Sequence, residues 1–133
     1  MSLVTIGKTY WPRPLLNATV HSFTLGNNVL TFDSNTDRLA WVGRSPVADT
    51  LSKIYFRTGT VTTGDTVQIQ IESVTNGKPS GNPIAVGASG TVAIADTDDN
   101  IWKTVTIGTP PSLTVGLEFA IVVTHSSGAT PAE

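Results

Sequence analysis

Cysteine is absent from the 133 residues, so neither a disulfide nor a thiolate metal site contributes to this protein. Charge is also scarce. Asp, Glu, Lys and Arg make up 14% of the chain, against about 25% in an average soluble protein. The eight cations are scattered singly and the net charge is −2. Binding phosphates takes clustered Lys and Arg, so no nucleic-acid partner is expected. No apolar run is long enough to span a bilayer as a helix, and no membrane partner is expected. The opening residues, MSLVTIGKTYWPRP, lack both a continuous apolar stretch and a small-residue cleavage site, so they do not read as a secretory signal. The protein is then expected to stay where it is made, or to leave by lysis or as part of a particle, unless a signal has been removed. Helical periodicity is missing as well: no window sustains i, i+3, i+4, i+7 spacing, and little or no helix is expected.

Threonine supplies what charge does not. Its 21 copies, with Ser, Asn and Gln, form a polar but uncharged surface, and β-branching suits a half-buried pleated sheet. From Thr19 onward the period is two. Strands are expected at 20–25, 29–32, 38–42, 51–57 and 66–74, then at 84–86, 91–95, 101–107 and 117–123. Turns separate them every 8–12 residues, the pattern of a sandwich or barrel. In 66–74, Val67, Ile69 and Ile71 face one way, and Thr66, Gln68, Gln70 and Glu72 the other. A one-residue slip would expose all three aliphatics, which pins the register. The Gly/Thr loop at 58–65 reads as the turn of a reversing pair, and 76–81 as a second turn opening on Asn76-Gly77, a favoured hairpin dipeptide. Segment 117–123, apolar apart from Glu118, reads as a central strand covered on both faces. The fold class expected is an all-β antiparallel β-sandwich, jelly-roll-like, with eight or nine strands. Residues 1–18, broken by Pro12 and Pro14, are expected to be an N-terminal arm on a single sandwich domain at 19–133. The polar tail after the most apolar strand also suits the N-terminal domain of a longer fibre-like protein.

Candidate chemistry is thin. His21 and His125 are the only histidines, and no nucleophile-elbow sequence accompanies them: Gly87-Ala88-Ser89-Gly90 lacks the second spacing residue. The carboxylates sit singly on strands or in turns, without the facing pair that glycoside hydrolysis uses. No catalytic residue and no enzymatic activity are expected. Asp33-Ser34-Asn35-Thr36-Asp37 begins with calcium-loop spacing but places Arg38 at the glycine position and Arg44 where a bidentate Glu is required. Asp96-Thr97-Asp98-Asp99-Asn100 is a second acidic turn. Calcium is the one cofactor these turns suggest; otherwise no cofactor and no metal ligand is expected, since Asp and Asn are ordinary turn residues. Trp41 and Trp102 lie within strands and are expected in the core or between sheets. Tyr10, Trp11 and Arg13 lie in the proline-flanked arm, where an aromatic needs a cover, and are the expected partner-contact residues.

The segment 51–81, LSKIYFRTGTVTTGDTVQIQIESVTNGKPSG, resembles a pattern in β-sandwich domains of tailed-phage and prophage structural proteins. The matching residues are Phe56, Thr58, Gly59 and Val61, then Val67, Ile69 and Ile71, then Gly77, Pro79, Ser80 and Gly81. Trp102 to Thr106 and Gly116 to Val122 look like later strands of the same pattern, with Phe119 where Tyr is commoner. The resemblance covers roughly 38–124. It implies a non-enzymatic virion component of tail-fibre or capsid-decoration type acting through subunit contacts, as a homo-oligomer, trimeric if a fibre, among other virion proteins. A carbohydrate-binding module of a secreted bacterial protein is the alternative, with a glycan as its partner.

Overall fold

Period-two patterning dictates pleated strands, and the computed structural model, which describes residues 2–5, 30–31 and 38–125, contains nothing else regular among those residues. The strands are β1 (Ser2–Thr5), β2 (Leu30–Thr31), β3 (Arg38–Arg44), β4 (Asp49–Thr50), β5 (Lys53–Thr58) and β6 (Asp65–Thr75). After them come β7 (Lys78–Pro83), β8 (Ser89–Ile94), β9 (Trp102–Thr106), β10 (Ser112–Leu113) and β11 (Glu118–His125). All pairings are antiparallel. One sheet runs β2-β1-β5-β9; the other runs β3-β11-β6, with β7 and β8 both against the long β6; β4 and β10 form a small ribbon.

The two sheets bury their facing sides against each other. Ile54, Phe56 and Val105 come from the first; Val67, Ile69, Ile71, Phe119, Ile121 and Val123 come from the second. Removing each of these side chains from water contributes about 1.5–3 kcal/mol. Trp41 covers the rim of this core, edge-on to Phe119 at 5.5 Å between ring centroids. The ring lies over Gly43, where a Cβ would meet its far edge and push it aside. At the β8–β9 side the sheets converge. A Cβ on Gly90 would lie 2.1 Å from the Thr106 carbonyl, so only glycine admits the approach.

The structure is an all-β antiparallel sandwich, as the alternation requires, and β11 is central between β3 and β6 with its middle residues buried on both faces. Several local expectations differ. Segment 59–64 does not reverse a pair: β5 bonds β1 and β9 while β6 bonds β7, β8 and β11, so the segment crosses between sheets. Residues 78–81, within the turn expected at 76–81, belong to strand β7. Asn76 and Gly77, both at positive φ, make the two-residue connection that returns the chain onto β6. Prolines are tolerated there because β7 lies at a sheet edge. The expected strand at 84–86 is a turn instead. Ser2–Thr5, within the expected arm, pair with β5 and β2. Tyr10, Trp11 and Arg13, the strand at 20–25 and the turn at 33–37 lie outside the described residues.

Candidate functional site

Residues directly opposite in an antiparallel ladder share a face. The β5–β9 register pairs Lys53 with Thr106, Tyr55 with Thr104 and Arg57 with Trp102. Alternation turns Ile54, Phe56, Thr58 and Val105 inward, so these six point outward. Trp102 is 56% exposed and Tyr55 47%. The two rings are diagonal neighbours on rigid strands, about 7–8 Å apart at Cα. Arg57 lies beside Trp102, its Nε donating to the Asn100 carbonyl at 3.0 Å. That bond fixes the guanidinium while leaving its terminal nitrogens without a partner among the described residues.

The loop before β9 holds this end of the face in place. Asn100, at positive φ, donates its backbone N–H to the Gly59 carbonyl. Buried Thr58 donates its hydroxyl to the Asp98 carbonyl and accepts from the Ile101 N–H at 3.1 Å. The acidic turn is turned toward the protein. Asp98 Oδ2 accepts from Lys103 Nζ at 2.5 Å and from the Ala95 N–H at 2.7 Å. Asp99 Oδ1 accepts from the Val61 N–H at 2.6 Å. The Lys103 hydrogen bond, with help from the Ala95 amide, holds the Asp98 carboxyl below the usual carboxylate range. Among the described residues no three His, Asp or Glu side chains converge as a metal site would require.

Two other polar clusters are internal. Glu72 is 2% exposed yet lies on the outward side of the five-stranded sheet, opposite Ala120. Arg38 reaches it diagonally across β11, Gln70 Nε2 donates at 3.2 Å, and the Gly81 N–H donates at 2.8 Å from the irregular β6–β7 pairing. His125 Nδ1 pairs with Asp65 Oδ2 at one end of the inter-sheet core, with side chains only 2% and 6% exposed. Neither side chain of this pair is presented to solvent. Arg44 and Glu118 form an exposed pair at 2.8 Å.

The chain matches no known protein family. No curated protein is significantly similar to it in sequence either. Site residues must therefore be weighed on geometry. Of the tryptophans expected in the core, Trp41 packs against it, but Trp102 does not. The alternation of 101–107 already carried this information: Trp102 has the parity of Thr104 and Thr106, opposite Val105 and Ile107. A place within a strand suggested burial, and parity decided exposure.

Proposed function

We propose that this protein is a non-enzymatic attachment module of the virion structural kind, assembling through subunit contacts and recognising its target with the outer face of β5–β9. One observation carries the reading: Trp102 and Tyr55 stand exposed beside Arg57 on rigid strands, a combination enriched where proteins bind. The disposition of the acids supports the non-enzymatic part. Glu72, Asp65, Asp98, Asp99 and Glu118 are each engaged by a cation or a backbone N–H, so no two of these five described acids are left to converge for acid–base work. The virion assignment rests on the resemblance of 51–81 and on the charge-poor, Thr-rich composition. A homo-oligomer, trimeric in a fibre, belongs to this proposal, and so does location in the virion.

The carbohydrate-binding reading has its own support, because aromatic rings alternating with hydroxyl-bearing residues on a sheet face suit sugars. The test compares wild type with the Tyr55→Ala/Trp102→Ala double variant for retention on a panel of bacterial cell surfaces, with light scattering for subunit number. Loss of retention at unchanged circular dichroism is expected. Equal retention of the two proteins would remove the face from the proposal, and a monomer at all concentrations would remove the subunit contacts.

A further inference from the structure

We infer that the outer face of β5–β9 binds an acidic saccharide, with Trp102 and Tyr55 stacking on sugar rings and the terminal nitrogens of Arg57 holding a carboxylate. The inference rests on reading this face as the recognition surface. Among the described residues its charge is of one sign. Lys53 and Arg57 are the only ionisable groups that the β5–β9 register places outward besides the Tyr55 phenol. Asp98 and Asp99, just before β9, are engaged by Lys103 and by the Ala95 and Val61 amides, and among the described residues no carboxylate pairs with Lys53 or Arg57. An anionic group is thus the complementary occupant.

Arg57 is suited to a planar anion. Its Nε is already bound to the Asn100 carbonyl at 3.0 Å, so the fork is oriented before any ligand arrives, and a carboxylate finds two parallel donors. The remaining residues favour a sugar over a protein. Lysine is depleted in interface cores between proteins, whereas Arg and aromatic rings serve proteins and sugars alike. This face carries Lys53 and Arg57 and no aliphatic side chain, and its other members, Thr104 and Thr106, offer hydroxyls. The diagonal spacing of Tyr55 and Trp102 lets successive rings of one oligosaccharide meet both aromatics.

The experiment is calorimetry and tryptophan fluorescence on the full chain with four probes. Trigalacturonate is set against its methyl-esterified neutral form, and 3′-sialyllactose against lactose. At least one acidic probe is expected to bind, with its neutral counterpart about tenfold weaker or worse, as loss of a charge-assisted fork implies. Arg57→Ala is expected to weaken the acidic probe by about tenfold or more, Arg57→Lys to recover part of that, and Trp102→Ala to remove both affinity and fluorescence change. The inference is overturned if neither acidic probe binds at millimolar concentration, if neutral and acidic forms bind alike, or if the variants bind as wild type does. Concentration-dependent self-association lost in Trp102→Ala would make the occupant a second copy and also overturn it. In either case, loss of cell retention by the double variant would leave the attachment reading standing; unchanged retention would remove both.

Discussion

The two sheets present outer faces of opposite character. On the five-stranded sheet, Val122 and Ala120 point away from the inter-sheet core, yet they are 1% and 0% exposed. The Arg38–Glu72 pair crosses β11 on that side, and Gln70 adds its amide. On the four-stranded sheet, the far larger Tyr55 and Trp102 remain about half exposed. Small aliphatics are roofed while large aromatics are left open. Burial is thus set by what neighbouring strands lay over a position, not by how hydrophobic its side chain is. On the roofed side Arg38 reaches across β11 to place its charge on Glu72, whereas Arg57 is held at its end of the open face by Asn100.

Removing the roof is the strongest way to break the contrast. Arg38→Ala leaves the Glu72 carboxylate buried without its cation, and a loss of about 3 kcal/mol is expected in urea unfolding. Glu72→Gln is expected to cost less, about 1–2 kcal/mol, because Arg38 is half exposed and can return to water while the amide oxygen still accepts from Gly81. Equal losses in the two variants would contradict this asymmetry. Val122→Ala sharpens the comparison next: about 2 kcal/mol should be lost if the position is as enclosed as a core site. On the open face, Trp102→Ala should change stability by less than about 0.5 kcal/mol, measured as the urea midpoint, and a larger loss would mean that the ring is covered.

The smallest effect is one of pH. The Asp98 carboxyl is depressed in the folded chain, chiefly by Lys103, so unfolded molecules take up its proton first as pH falls. Its contribution is full above about pH 4 and is lost as pH drops through the folded value. Asp98→Asn is expected to flatten that part of the stability–pH curve while leaving the curve near pH 7 nearly parallel to wild type. A steeper acid loss in the variant would contradict the assignment.

How much of this could be read beforehand depends on where the information lies. The faces of Val67, Ile69 and Ile71 are local parity, and so is the placement of Gln70 and Glu72 on the opposite side. That Glu72 is buried there is not local, since its enclosure comes from Arg38, 34 residues away, and from Gly81 on the next strand. The hairpin at Asn76-Gly77 is legible from two residues that tolerate positive φ. The strand after it was hidden by Pro79 and Pro83, which look like turn residues until an edge position is available. The crossing at 59–64 is invisible to patterning, because alternation specifies faces and not partners. For the open face, the parity of Trp102 was in the sequence, but a place within a strand does not by itself say which face is covered.

One feature of β7 reaches beyond its own ladder. A bare strand edge is a row of backbone donors and acceptors that invites another chain to add itself. Two prolines within six residues strip donors from that row, and Gly81 at positive φ bends what remains. Growth of the five-stranded sheet by templated addition is therefore discouraged on this side. At high local concentration such a molecule resists fibrillar stacking along β7, and contacts between copies are steered to side chains, whose pairings mutation can retune one residue at a time.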